Sequence, residues 1–120
     1  MTVVNLNYIV YNDKLEPLLE NEAPITSRQV LSNAAYFASA QDHKNADSKK
    51  LADLHIRFAT NREDEIDITN EEIILLEKAL ENNSRFAGIV GQILLVLDGK
   101  NPWNKINEFK NSNSSADSVG

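Results

Sequence analysis

The fold class is decided by the stretch Ile66-Asp67-Ile68-Thr69-Asn70-Glu71-Glu72-Ile73-Ile74-Leu75-Leu76, in which a strand pattern runs directly into a helix. Ile66 and Ile68 alternate with a polar residue, as in a brief strand that is buried on one side. Thr69 and Glu72 have the spacing of a capping box, in which each side chain accepts a hydrogen bond from the other residue's backbone amide. The apolar run that follows predicts a helix. The stretch therefore predicts both β and α structure.

The N-terminal region predicts a short β-hairpin. Residues Val3 to Tyr11 are rich in β-branched and aromatic side chains that alternate at period two. Asn12-Asp13-Lys14 supplies turn residues before a second strand over Leu15–Leu19, where Pro17 removes a ladder donor and favours a sheet edge. A lone hairpin is marginal in water, so we expect it to pack against helices, with the brief strand at Ile66–Ile68 beside it.

Two amphipathic helices are expected next. Thr26-Ser27-Arg28-Gln29 is a further capping box and predicts the start of the first helix. Asp47 or Ser48 caps the second helix. Spacings of three and four residues predict one buried stripe on each helix. The stripes are Val30, Leu31, Ala34, Phe37 and Ala38 on the first helix, and Leu51, Leu54, His55 and Phe58 on the second.

The fourth helix is predicted from about residue 85 to residue 98, and it lacks a polar face. Only Gln92 is polar between Phe86 and Leu97, so the helix is a central core helix or an oligomer contact. Gly99 is placed as its left-handed C-terminal residue. The small residues Gly88 and Gly91 permit close approach by a neighbouring backbone.

The predicted architecture is a short N-terminal hairpin packed on a bundle of about four helices, the last of them central and apolar. The class is α+β. Residues 1–110 are expected to form one globular domain, because the apolar pattern continues to about that point. Residues 111–120 contain little to bury and are expected to be a flexible tail.

Composition excludes several classes of protein. The chain has 120 residues, 12 basic and 18 acidic, with a net charge of −6, which disfavours a duplex-binding module that neutralises phosphates. It has no cysteine, so disulfides and thiolate chemistry are excluded. The longest apolar stretch is too short to span a bilayer, and the first residues do not resemble a signal peptide. We therefore expect a cytoplasmic protein that does not bind membranes.

The negative charge is concentrated in one sector. Residues 63–81 hold eight acidic residues and one basic residue, a local charge of −7, so the rest of the chain, with ten acidic and eleven basic residues, carries +1. If electrostatic attraction steers the binding of a partner, the contact should involve Glu63, Asp64, Glu65 and Asp67. Trp103 is the other candidate contact, since tryptophan is enriched in binding hot spots. Its alternative role is a strap over the edge of the core.

No pattern of catalytic or metal-ligating residues stands out. Residues 61–72 carry oxygen side chains at several positions of a calcium loop, but Ile66 occupies the place of the tight-turn glycine. His43 is expected at the surface, and His55 half-buried on an apolar helix face. There is no nucleophile elbow and no glycine-rich phosphate loop. We predict no enzyme activity, cofactor or metal; a small hydrolase would require a pocket that joins His55 to a carboxylate.

The order of five segments carries a resemblance to known proteins. The segments are Ala23-Pro24-Ile25, Val30-Leu31-Ser32-Asn33-Ala34, Leu51-Ala52-Asp53-Leu54-His55-Ile56, Ile66-Asp67-Ile68-Thr69-Asn70-Glu71-Glu72-Ile73 and Phe86-Ala87-Gly88-Ile89-Val90-Gly91-Gln92-Ile93-Leu94. In this order they resemble small, mostly uncharacterised accessory proteins of tailed bacteriophages and prophages, over roughly residues 12–99. None of the motifs is catalytic. The resemblance implies a phage-encoded accessory protein that acts in the bacterial cytoplasm.

These observations favour a non-enzymatic protein-interaction or regulatory accessory protein that binds a host or phage protein or associates with itself. Two other non-enzymatic classes stay open. An acidic inhibitor would mimic nucleic acid and occupy the basic groove of a host or defence enzyme. A virion-assembly factor, such as a tail-assembly chaperone, would act during particle assembly.

Overall fold

The computed structural model describes residues 1–39, 45–81 and 88–100, and these form an α+β fold, as predicted. The boundary predicted at residue 110, the tail 111–120 and Trp103 lie outside the described residues. Within the described residues the helices are α1 Ser27–Ser39, α2 Asn45–Thr60, α3 Asn70–Glu81 and α4 Val90–Leu97. The strands are β1 Thr2–Asn5, β2 Leu19–Glu20, β3 Ala23–Pro24 and β4 Glu65–Ile68.

Strand β1 pairs with β4 in an antiparallel sheet, which confirms the brief strand predicted beside the N-terminal strand. Val3 lies opposite Asp67, and Asn5 lies opposite Glu65. The N-terminal strand is shorter than predicted, because the chain turns from the sheet to α1. The carbonyls of Leu6 and Tyr8 accept the backbone amides at the start of α1, at 3.0 and 2.7 Å.

The predicted hairpin with residues 15–19 is reduced to a few contacts. Tyr11 and Pro17 form an isolated bridge, and the Leu18 amide donates to the Val10 carbonyl at 2.9 Å. The next turn instead makes a regular two-residue hairpin between β2 and β3. Its loop residues, Asn21 and Glu22, both have positive φ angles, 52° and 68°, as a type I′ turn requires.

Both predicted capping boxes are present. The Thr26 amide donates to Gln29 Oε1 at 3.1 Å, and the Gln29 amide donates to Thr26 Oγ1 at 3.4 Å. The Thr69 amide likewise donates to Glu72 Oε1 at 3.0 Å, and the Glu72 amide donates to Thr69 Oγ1 at 3.3 Å. Each box satisfies amides that the first turn of a helix leaves without a helical partner.

The end of α4 also agrees with the sequence. Gly99 has a φ of 76° and donates its amide to the Val96 carbonyl at 3.0 Å, while the Lys100 amide donates to the Leu95 carbonyl at 3.0 Å. This pair of bonds is a Schellman motif. The start differs: α4 begins at Val90 rather than near residue 85, and residues 82–87 lie outside the described part.

Helix α1 contacts the other three helices, and α4 packs against β1, α1 and α3. Most of the predicted core is buried, but Phe37 is 41% exposed and Ala35 is fully buried. The buried stripe of α1 follows spacings of one and four residues, which place Phe37 at its margin.

The predicted close approach at Gly88 and Gly91 is wrong for the described residues, since nothing lies within 4 Å of a Cβ added at either. No described helix is long and apolar enough to cross a membrane.

Candidate functional site

The outer face of the β1–β4 sheet carries two of the four acidic residues that the sequence singled out. Side chains alternate along a strand, so Val3 of β1 and Glu65 and Asp67 of β4 share one face. Val4 and Ile68 point the other way and are fully buried. The outer face is therefore a small sheet surface with an apolar residue beside carboxylates.

Helix α2 and the chain after it cover the free edge of β4. Arg57 Nη2 donates to the Asp67 carbonyl at 3.2 Å, and Asn61 Nδ2 donates to the Glu65 carbonyl at 3.4 Å. These bonds satisfy carbonyls that point away from β1. They attach the free edge of β4 to α2 and to the residue that follows this helix.

Three of the four predicted acidic residues lie together. Glu63, Glu65 and Asp67 line one depression of about 220 Å³, together with Val3 and Ile66. All three acidic residues are exposed, and none of their carboxylates forms an ion pair with a described residue. We call this surface, Val3 with Glu63, Glu65 and Asp67, the acidic face.

Asp64 does not join the acidic face. Its carboxylate accepts a hydrogen bond from the Asn7 side chain, and its carbonyl accepts the Leu6 amide at 2.7 Å. Both bonds turn Asp64 toward the N-terminal segment. Its role is thus to tie the loop to the chain that follows β1.

Arg28 fixes the loop that leads into the acidic face, and sequence reasoning did not find this residue. Its Nη1 donates to the Phe58 carbonyl at 2.7 Å and also to the Asn61 carbonyl, and its Nη2 donates to the Glu63 carbonyl at 2.9 Å. An arginine fork suits several carbonyls at once. No local pattern around Arg28 signals these bonds, because the acceptors lie at least thirty residues away along the chain.

The acidic residues at the start of α3 are paired, unlike those of the acidic face. Glu71 lies 3.0 Å from Lys50, and this hydrogen-bonded partner raises the pKa of Lys50 above its ordinary value. Glu72 lies 2.5 Å from Arg57. Burial favours a higher pKa for Glu72, but the bonds from Thr69 and Arg57 outweigh it and lower the pKa. The acidic sector is thus only partly available to a partner.

A second concave surface lies between the β2–β3 hairpin and α1, and we call it the α1 trough. Its apolar half encloses about 370 Å³ and is lined mainly by Leu18, Leu19, Ile25, Val30 and Ile89. Its polar half encloses about 430 Å³ and includes Asn21, Arg28, Ser32 and Ala59. Glu20, Gln29 and Asn33 line both halves. The sequence did not predict this surface, because its walls meet only in the folded chain.

His55 packs between α1 and α2 and is half-buried. Its Nδ1 lies 2.9 Å from both the Oγ and the carbonyl oxygen of Ser32, and its ring centroid lies 5.1 Å from that of Tyr36. Among the described residues no carboxylate bonds to His55. Ser32 lies on α1 and His55 on α2, so the contacts of this ring nitrogen with two oxygens of Ser32 link the two helices.

In the described ranges, no three histidine, cysteine or carboxylate residues are grouped so that they could hold a metal ion. Comparison with known proteins gives no family model, no curated protein and no solved structure that matches the chain. The resemblance to phage accessory proteins therefore stays a prediction.

Proposed function

We propose that this chain is a non-enzymatic protein-interaction module that binds a protein partner or a second copy of itself. The acidic face is the observation that carries the proposal. Val3 is 48% exposed beside three carboxylates that have no ion-pair partner among the described residues. Carboxylates without a charged partner on their own chain are available to basic groups of another molecule.

Charge complementarity defines the partner surface. Three exposed carboxylates that line one depression favour a partner with lysine or arginine side chains, and such contacts raise association rates. Glu65 and Asp67 lie on a hydrogen-bonded strand, so their backbone is already ordered. Binding therefore costs less conformational entropy. The same surface serves a second copy only if that copy presents basic residues to it.

The test compares two triple variants that change net charge equally. Glu63→Gln, Glu65→Gln and Asp67→Asn together neutralise the acidic face. Glu16→Gln, Glu22→Gln and Glu81→Gln neutralise three exposed carboxylates elsewhere. We expect light scattering to show a dimer, or affinity capture from bacterial extract to recover a protein, that the first variant loses and the control retains.

Two results contradict the proposal. One is a strict monomer that captures no protein. The other is equal capture by the two triple variants, which would assign binding to net charge rather than to this surface. Both variants must first give circular dichroism spectra and melting temperatures like those of the unmodified chain.

The acidic-inhibitor alternative uses the same surface and is favoured by the same unpaired carboxylates. Its partner is an enzyme whose basic groove normally binds phosphates, so affinity should fall steeply with salt and nucleic acid should compete. Binding that is insensitive to salt would exclude it. A role in virion assembly is an additional hypothesis, tested by whether the protein is present in purified phage particles.

A further inference from the structure

The α1 trough contains a cation that forms no ion pair within the described part of the chain. Arg28 is half-buried at the polar half of the trough, and no carboxylate of the described residues forms an ion pair with it. Its bonds go to the neutral carbonyls of Phe58, Asn61 and Glu63. These carbonyls satisfy hydrogen bonds, but they do not neutralise a full positive charge.

Part of the charge is offset by α2. Phe58 lies in the last turn of that helix, where the helix dipole contributes about half a unit of negative charge. Three of its five N–H groups are occupied, which leaves two donors for a ligand.

The rest of the trough indicates the chemical class of the ligand. Gln29 and Asn33 carry amide groups where the polar and apolar halves meet, and amides pair with the peptide groups of an extended chain. The apolar half accepts aliphatic side chains, and Leu19 at its wall is 59% exposed. Glu20, the one carboxylate among the described lining residues, is exposed.

We propose that the α1 trough binds the C-terminal end of a partner protein, with its terminal carboxylate on Arg28 and apolar side chains between Leu19 and Ile89. A carboxylate bound by arginine is a strong, charge-assisted contact. The peptide groups before it face Gln29 and Asn33. This inference rests on the proposed function and names a partner class for a surface distinct from the acidic face.

The test uses peptides rather than an unknown partner. A pool of hexapeptides composed of Leu, Ile, Val, Phe, Asn and Ser is prepared twice, once with free carboxylates and once with carboxamides. The full-length protein should retain the free-acid pool about tenfold more than the amide pool, since loss of one charged contact costs at least about 1.4 kcal/mol. Equal retention of the pools, or none, overturns the proposal.

A conservative variant locates the binding. Gln29→Glu keeps the capping box, because glutamate caps as well as glutamine, and places a negative charge beside Arg28. Asn70→Glu makes the same change of an exposed amide to a carboxylate at the start of α3, outside the trough. Gln29→Glu should lower peptide retention about tenfold, and Asn70→Glu should leave it unchanged. Equal effects of the two variants overturn the assignment.

The outcomes also separate this inference from the proposed function. If the peptides fail to bind while capture still depends on the acidic face, the trough assignment is wrong and the interaction function stands. If peptides bind but neutralising the acidic face has no effect, the trough assignment stands and the acidic face is not the contact surface. A dimer that Gln29→Glu abolishes would assign the trough to a second copy and overturn the partner assignment.

Discussion

The Arg57 guanidinium of α2 lies 2.5 Å from the Glu72 carboxylate at the first turn of α3. The second oxygen of Glu72 accepts the Thr69 amide at 3.0 Å, so one carboxylate both caps α3 and joins it to α2. Its side chain is 14% exposed, whereas Glu71 in the neighbouring pair with Lys50 is 79% exposed. Exposed ion pairs contribute about 0 to 1 kcal/mol, and the shielded pair is expected to contribute more.

Acid should remove the contribution of Glu72. A carboxyl whose pKa is lower in the folded than in the unfolded state stabilises the fold above its unfolded value, near 4.5, and loses this effect as the pH falls through the folded value. Glu72→Gln keeps the capping box but loses the charge, and should cost about 1 kcal/mol at pH 7. Urea denaturation should show this difference shrinking below about pH 4.

Glu71→Gln is the matched control for Glu72→Gln, because it removes a carboxylate one residue away in an exposed pair. It should change the free energy of unfolding by less than about 0.5 kcal/mol. A difference between the unmodified chain and Glu72→Gln that stays constant from pH 7 to pH 3 would contradict the proposed linkage.

Removal of Arg28 should loosen the loop before β4. Arg28→Gln loses donors to three carbonyls, and we expect a loss of about 2 to 3 kcal/mol with faster amide hydrogen exchange over residues 61–65. Arg62→Gln is the control, because Arg62 is exposed and its side chain forms no hydrogen bond or ion pair with the described residues. Comparable exchange in the two variants would show that the loop does not depend on Arg28.

The β2–β3 turn should be stabilised by glycine at position 22. Glu22 has a φ of 68°, and the left-handed region costs a residue with a Cβ roughly 1 kcal/mol. Glu22→Gly would give the Asn-Gly pair that type I′ turns favour, so the free energy of unfolding should rise by about 0.5 to 1 kcal/mol. Glu20→Gly, in β2 and without a positive φ, should lower it by a similar amount.

Two glycines of the last helical region should respond in opposite directions to alanine. A Cβ at Gly91 meets no described atom within 4 Å, so Gly91→Ala should stabilise α4 by about 0.5 to 1 kcal/mol. Gly99 has a φ of 76°, and its Cβ would lie 3.3 Å from Thr2 Cγ2. Gly99→Ala should therefore destabilise by about 1 to 2 kcal/mol. Thermal denaturation of both variants checks the signs.

Local patterns predicted the starts of α1 and α3 well, because a capping box is complete within four residues. The other two starts were predicted wrongly: α2 begins at Asn45, before the predicted caps Asp47 and Ser48, and α4 begins at Val90 rather than near residue 85. Thr26 with Gln29 and Thr69 with Glu72 could be recognised without knowledge of the fold. Strand pairing was harder, since β1 pairs with β4 across more than sixty residues. The turn residues after Tyr11 are a stronger local signal than the pattern of β4, and they predicted a full hairpin with residues 15–19. The structure forms this hairpin only in part.

The acidic face was predictable in composition and not in arrangement. The charge count singled out Glu63, Asp64, Glu65 and Asp67 as one group. The strand separates them, because alternate residues face opposite sides and Asp64 bonds to Asn7. The α1 trough had no sequence signal, since Leu19, Arg28 and Ile89 come from three separate segments.

Local sequence patterns are sufficient to predict the α+β class, the capped starts of α1 and α3, the glycine end of α4 and the location of the negative charge. Each of these depends on residues within a few positions of one another. Tertiary packing sets the register in which β4 pairs with β1, determines which carboxylates form ion pairs, and brings Arg28 to three distant carbonyls. The physical reason is that hydrogen bonds and ion pairs between distant segments form only when the packed core brings those segments together.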